Sequence, residues 1–499
     1  MLPADSELGL RDRITTPLPK VQVFIVILMQ LTEPISATVI FPFINQMVFS
    51  TGITGGDEKK SGYYAGVIES VFFLSESLTT MLWGHASDRY GRRPVLLLGP
   101  LGLAIVTSLF GLSTKYWTLI VFRSLQGVFN GNLGVSKTVL AELSDATNMA
   151  TAFSFTSVMW QVGVTIGCSL GGVLSNPADH WPQSPIGRSP LLRNHPYLLP
   201  CAITGFISFF IFLVAFIGLK EVKLNVGAKD LGILRTTELE DEPTPQYGST
   251  TQYYPTISRP RSTSEETLVG IHDYDRPKNP ELQRTISFRT LLTSEDVLRP
   301  LSSLALLSFL ETSISVLIPI TYTTSVVNGG LGLTAMQVGS LLSIGGAVSL
   351  VFSAIGIPPL VRYFGIWKMH FVGMSALIVG FSCIIMASLA AKRAGYADEL
   401  TWTFVMIQYA SYIILPLGFT QMFVVNGAPS RDALGTTNGM VQSARTLART
   451  IAPVCVMSLF SISKEQNLLH GQLSYVVCLL ITICGLRNVL KLPRELSRL

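Results

Sequence analysis

Apolar runs long enough to cross a bilayer recur along the whole chain, and no other feature restricts its fold so strongly. Those at 21–44, 95–113 and 200–219 approach or exceed the roughly 20 residues that carry a helix through about 30 Å of hydrocarbon. In lipid the backbone must satisfy its own polar groups, so each run is expected to be helical. Only 13% of the 499 residues are charged and 48% are hydrophobic, against about 25% charged in a soluble domain. Windows bounded by Gly, Pro and charge place spans near 21–48, 62–84, 95–113, 116–140, 150–174 and 197–219. A second set falls near 299–327, 335–357, 368–391, 401–425, 434–460 and 473–490. The expectation is an all-α membrane protein of twelve transmembrane helices in two pseudo-symmetric six-helix bundles, 1–220 and 298–499, separated by a linker over 221–297.

The basic residues agree with alternating spans. Arg11, Arg13 and Lys20 precede span one, Arg89, Arg92 and Arg93 follow span two, Arg362 and Lys368 follow span eight, and Lys491, Arg494 and Arg498 follow span twelve. The positive-inside rule then puts both termini and the linker in the cytosol. Loop placement also accounts for the net charge of +5 without a nucleic-acid partner. The N-terminus lacks an apolar stretch with a small-residue cleavage site, so the first helix is expected to act as its own signal. Six cysteines lie within spans without metal-ligand spacing and read as apolar filler. The linker, rich in Pro, Ser, Thr and charge, cannot bury a core and is expected to be disordered, with a short surface helix near 287–292. Its run Arg284-Thr285-Ile286-Ser287 reads as a spacer, with phosphorylation as the alternative.

An ionisable side chain at bilayer depth costs at least about 2.5–3.5 kcal/mol on insertion scales, so each needs a partner, a water-filled cavity or a task. Glu33 falls in span one, Glu69 and Glu76 in span two, Arg123 in span four, Glu311 in span seven, and Arg445 and Arg449 in span eleven. Arg123, Asn130 and Lys137 repeat every seven residues with Gln126 on the same face, so that side of span four must turn inward. The acids and bases are expected to oppose one another across a central cavity. Glu33 is the leading proton carrier, loaded and unloaded as Arg123 approaches or withdraws. The alternative is ion pairing that serves assembly only. The halves also echo each other. T-E-P-I-S-A-T-V-I-F-P and L-E-T-S-I-S-V-L-I-P each place a glutamate eight or nine residues before a proline, and duplicated halves suggest a transporter with its site between them. Gly163, Gly167 and Gly171, with Gly172 adjacent, leave one side of span five bare for a close helix neighbour.

Gly84-x-x-x-Asp88-Arg89-x-Gly91-Arg92-Arg93 resembles the signature loop between helices two and three of the major facilitator superfamily. Leu119-x-x-x-Arg123-x-x-Gln126-Gly127 resembles its fourth-helix motif, whose arginine is associated with proton coupling, and Gly163-x-x-x-Gly167-Cys168-x-x-Gly171-Gly172 resembles the fifth-helix motif of its drug/proton antiporters. The chain looks most like fungal twelve-helix exporters of that type and is close to plant zinc-induced-facilitator-like carriers. The resemblance implies the major facilitator fold. Cys168 stands where the antiporter motif has proline, whereas span eleven keeps Pro453, and the second-half loop keeps Gly365 but places Arg362 at the position matching Asp88. A cytosolic gate is therefore expected from the first loop. Asp88 would sit against the positive N-terminal end of span eleven, and Arg92 or Arg93 would pair with Glu142 or Asp145.

The leading reading is a proton-coupled exporter of small amphipathic organic compounds, a drug or a secondary metabolite, working as a monomer with the proton gradient as energy source and no cofactor. Phe41, Phe43, Phe72, Phe73, Phe129, Trp160, Tyr409 and Tyr412 are candidates for an aromatic cavity lining. An ion, metal-chelate or nutrient carrier of the same fold is the alternative, although free metal is disfavoured because the spans offer one histidine, His370, and no paired ligands. A non-transporting sensor signalling through the linker is the reading from another class. No nucleophile–base pair or phosphate-binding loop marks an enzyme. The plasma membrane is the expected location, with the vacuolar membrane as alternative.

Overall fold

The computed structural model describes residues 19–144, 148–221, 295–414 and 434–492. Asp145, residues 222–294 of the linker, the C-terminal part of span ten, Arg494, Arg498 and the side chain of Arg362 lie outside the described residues. All twelve spans are represented by helix, and the two sets of six belong to one compact unit. Eight helices among the described residues are long and apolar enough to cross a membrane by themselves.

Span one is not the continuous helix expected over 21–48. It consists of Lys20–Gln30, Thr32–Thr38 and Ile44–Ser50. Pro34 has no amide to donate to the Gln30 carbonyl, which accounts for the first break, and Pro42 likewise deprives Thr38. The Thr38 carbonyl instead accepts the Phe41 amide at 3.1 Å and the Cys168 thiol at 3.8 Å. Span seven runs unbroken over Glu295–Thr323; the residue after its glutamate is Thr312, not proline.

Span four is also interrupted, between Tyr116–Asn130 and Leu133–Glu142. Gly127 and Gly131 bring it against span two, where an added Cβ would collide with the Phe72 carbonyl and the Thr79 hydroxyl. Asn132 at the interruption donates to the Val95 and Leu96 carbonyls at 2.8 and 3.0 Å. The Leu96 carbonyl is the one that Pro100, inside helix Arg92–Gly111, leaves without an amide.

Span two extends to Tyr90. The stretch expected to be a loop is thus the last two turns of a helix, and the link to span three is one residue, Gly91 at φ +95 and ψ 160. Gly365 repeats this between spans eight and nine at φ +78 and ψ 160. Both require glycine because the left-handed region penalises a Cβ. Span eight reaches that turn through a π-helical turn at Phe352–Gly356 and helix Ile357–Phe364.

The two bundles join at the end remote from the basic loops. Ser70 accepts the Val454 amide at 2.9 Å, and Ser461 accepts the Tyr63 amide at 2.9 Å. Gly66 of span two lies on the Pro453 carbonyl of span eleven, and Gly172 of span five on Gly339 of span eight. The same face of span two continues through Ser77, Met81, Gly84 and Asp88. There Met81 is 83% exposed and, among the described residues, nothing lies within 4 Å of a Cβ built on Gly84. The bundles are therefore closed at one end and parted toward the basic, cytosolic end.

Candidate functional site

Glu69 and Arg123 form one closed unit. The Arg123 guanidinium is fully buried and donates to both Glu69 carboxylate oxygens at 3.2 and 3.1 Å, to Gln126 Oε1 at 2.8 Å, and to the Ser36 and Ala37 carbonyls at 3.2 and 3.1 Å. Those carbonyls are exposed by the unwinding of span one. The guanidinium also lies 4.3 Å from the centre of the Phe72 ring, and Gln126 reaches Thr107 at 3.3 Å. Sequence reasoning set Arg123 beside Glu33 as a moving countercharge; the structure instead binds it to Glu69. A guanidinium whose two terminal amino groups are held by carboxylate, amide and carbonyl oxygens is a fixed joint between spans one, two and four.

Six other charges have no such joint. Glu33, Glu76 and Glu311 stand against Lys137, Arg445 and Arg449, three acids and three bases, and among the described residues none of the six makes an ion pair. The charges acting on Glu33 are those of Glu76, Arg449 and Lys137, and its neighbour Asn130 is buried. Those acting on Glu311 are Arg449 and Arg445. Arg449 of span eleven therefore bears on an acid from each bundle. It crosses the interface, its guanidinium lying 4.3 Å from the Phe73 ring centre and 5.4 Å from that of Trp160. Tyr412 stands beside Glu311, and the Tyr409 ring packs over Gly345.

Several residues expected to line the cavity pack elsewhere. Phe43 is fully buried and stacks on Tyr197 at 5.0 Å, Phe72 lies under Arg123, and Phe129 packs over Gly102 and near Trp83. Span one's short helix Thr32–Thr38, with Val39 after it, occupies the glycine face of span five. A Cβ on Gly163, Gly167 or Gly171 would strike Pro34, the Thr38 hydroxyl or the Val39 carbonyl, while Gly172 serves span eight. Cys168 leaves helix Met149–Leu174 unbroken, and its thiol faces the Thr38 carbonyl.

At the cytosolic end, Asp88 does not touch span eleven among the described residues. It is 65% exposed and pairs with Arg92 at 2.7 Å, because the bundles are parted there. Arg92 bridges Glu142 at 2.8 Å and also reaches the Ser87 hydroxyl. Arg89 stacks on neighbouring Tyr90, and Arg93 donates to the Phe216 carbonyl at 2.7 Å. Sequence reasoning missed Glu221, whose carboxylate accepts the Arg92 and Arg93 amides at 2.6 and 3.1 Å. It caps the start of span three in the way acids stabilise helix N-termini. Gly91 gives it room, since a Cβ there would come within 3.0 Å of the carboxylate.

Two six-helix bundles of matching topology, parted at one end around a set of buried charges, define a secondary transporter rather than an enzyme. The chain belongs to the Major Facilitator Superfamily, whose family model matches residues 26–453. It is 28% identical to the major facilitator-type transporter psiT2 of Psilocybe cyanescens, over 99% of this chain and 94% of that one. It is 26% identical to the major facilitator superfamily multidrug transporter mfsB of Aspergillus fumigatus, over 94% of this chain and 82% of the relative. ZINC INDUCED FACILITATOR-LIKE 1 of Arabidopsis thaliana is 26% identical over 91% and 87%. Among solved structures, a D-xylose-proton symporter superposes with a TM-score of 0.67 over 97% of this chain and 100% of its own, at 14% identity, a likeness of fold alone.

Proposed function

We propose that this protein exports small amphipathic organic compounds in exchange for protons by alternating access. The observation that carries the reading is Arg449, a cation of span eleven whose guanidinium lies against Phe73 and Trp160 of the other bundle, in the charge set that holds Glu33 of that bundle and Glu311 of its own. A proton taken up by one acid removes its claim on Arg449, which then neutralises the other. The acid that is left paired and the acid that is left protonated exchange roles as the bundles rock. A cationic or amphipathic substrate would compete with Arg449 for the same carboxylates, so substrate and proton occupy the site in turn. Trp160, Tyr409 and Tyr412 would offer flat apolar contact, while Gln126 and Asn130 hold the wall of span four in place.

Export agrees with the printed description of the Aspergillus fumigatus relative as a multidrug transporter, and the plasma membrane suits that task, with the vacuolar membrane as alternative. The transporter works as a monomer and needs no cofactor beyond the gradient. The test is proton-driven flux of a compound panel in proteoliposomes, repeated with Glu33→Gln, Glu311→Gln and Arg449→Ala. Each substitution is expected to uncouple flux from the pH gradient. Coupling unchanged in all three would overturn the reading. Deleting 225–290 is expected to leave flux intact, whereas a sensor would lose its output.

A further inference from the structure

At the closed end, one carboxylate crosses between the bundles. Glu58 opens the short turn Glu58–Lys60 that leads into span two. Its Oε1 accepts the Ser325 amide at 3.0 Å, and its Oε2 accepts the Ser325 hydroxyl and the Asn328 side-chain amide, each at 2.7 Å. The receiving residues belong to the turn after span seven, Val326–Asn328, which ends at Gly329 with φ +76. Three hydrogen bonds therefore converge on one charge, and charge-assisted bonds are about twice as strong as neutral ones.

The receiving turn is itself pinned from behind. Lys464 Nζ donates to the Gly329 carbonyl at 3.0 Å, Ser388 Oγ donates to the same oxygen at 2.6 Å, and Gln472 Nε2 donates to Ser388 Oγ at 2.8 Å. Lys464 is buried and, among the described residues, faces no carboxylate at ion-pair distance; it also lies 5.2 Å from the Phe460 ring centre and beside Gly471. A lysine buried against one carbonyl needs a reason, and shaping this turn supplies one. Beside the contact lies a cavity of about 240 Å³ lined by Asn45, Gln46, Phe49, Glu58, Ser61 and Thr323 among others. There Asn45 makes a second crossing bond to Thr323 at 3.0 Å.

We infer that Glu58 is a gating residue: its carboxylate latches the start of span two to the Ser325–Asn328 turn and holds the transporter closed on the side remote from the cytosol, with Lys464 fixing the turn. To open that side, Glu58 must leave all three donors. Both partners sit at the surface end of their spans, where water can replace the lost bonds, so the latch is reversible. The inference rests on the alternating-access reading above but requires neither proton coupling nor a particular substrate.

The test is a distance measurement on full-length protein in lipid nanodiscs. Spin labels go on Leu191→Cys and Tyr396→Cys, exposed positions of the two bundles at the closed end, with the exposed Cys455 and Cys484 replaced by serine. Glu58→Ala is expected to raise the ratio of long to short distances about tenfold or more, the fold-change for losing a charged hydrogen bond. Ser325→Ala with Asn328→Ala, which leaves Glu58 in place, should shift the ratio in the same direction. Combining all three should add nothing beyond Glu58→Ala alone, and Lys464→Met should shift the ratio likewise. An unchanged distribution in Glu58→Ala, or full additivity in the triple variant, would overturn the latch. Should Glu58→Ala fail to yield a monodisperse protein, the Ser325 and Asn328 pair decides the same question. A shifted distance distribution without flux of any compound would leave the latch standing and remove the transport reading.

Discussion

Arg123→Ala should unfold this protein more readily than any other single substitution in the charge set, for reasons visible in its contacts. That guanidinium donates five hydrogen bonds, two to Glu69, one to Gln126 and two to the Ser36 and Ala37 carbonyls of span one. Truncation leaves the Glu69 side chain, itself only 3% exposed, as an uncompensated charge. Removing one member of a buried pair costs about 3–5 kcal/mol, and two orphaned carbonyls add about 1–3 kcal/mol each if no water reaches them. Glu69→Gln is milder, because Arg123 keeps Gln126, both carbonyls and the Phe72 face. The sharp expectation concerns the pair: Arg123→Ala with Glu69→Gln should melt higher than Arg123→Ala alone, since the second change removes the stranded charge. Thermal unfolding followed by fluorescence-detected size-exclusion chromatography ranks the four proteins. A double variant no more stable than Arg123→Ala, or an Arg123→Ala that melts with the parent, would refute the fixed-joint reading and return Arg123 to the role of a moving countercharge.

Gly171→Leu should abolish both folding and flux, since any Cβ there meets the Val39 carbonyl; surface expression and thermal unfolding check it, while Gly84→Ala, with open space in this state, should fold normally. Asp88→Asn should slow turnover with near-normal substrate binding, read as a fall in kcat without a matching rise in KM. Asn132→Ala leaves the Leu96 carbonyl bare beneath Pro100 and should lower stability by about 1–3 kcal/mol. Adding Pro100→Ala, which restores an amide for that carbonyl, should recover part of the loss in the melting temperature.

Much of the architecture was legible in the chain because lipid imposes a simple rule: every span must be an apolar helix. The glycines of span five signalled a close neighbour, although only the structure shows that the neighbour is the short helix Thr32–Thr38 of span one. What escaped was what a periodicity count cannot carry. The seven-residue stripe of Arg123, Asn130 and Lys137 suggested a single continuous face, yet the helix is interrupted at Gly131 and Asn132. The pairing of Arg123 with Glu69 rather than Glu33 depends on which spans lie adjacent, which one sequence does not state. Glu58, Glu221 and Lys464 stand among ordinary loop charges, and nothing in their spacing sets them apart.

Pro34 shows how little sequence separates the two bundles at their most different point. Glu33 and Glu311 occupy echoing positions, yet proline follows the first and threonine the second. With Pro34 the helix breaks at Leu31; Pro42 opens it again over 39–43, and the Ser36 and Ala37 carbonyls before that second opening accept from a buried arginine. With threonine the hydroxyl returns to the Ser308 carbonyl of its own helix at 2.8 Å, and span seven stays continuous. Its tie to span ten is then a neutral bond, Tyr322 to Gln408 at 2.8 Å. Where spans one and four meet, the brace is thus charged, and where spans seven and ten meet it is not. The arginines bearing on Glu311, Arg445 and Arg449, are carried on span eleven, the helix packed against span two at the closed end. Those arginines share the bundle of Glu311, so in the proposed rocking they travel with it; the acid that would meet a different balance of charge is Glu33, which faces Arg449 from the other bundle, whereas Glu69 would keep its arginine.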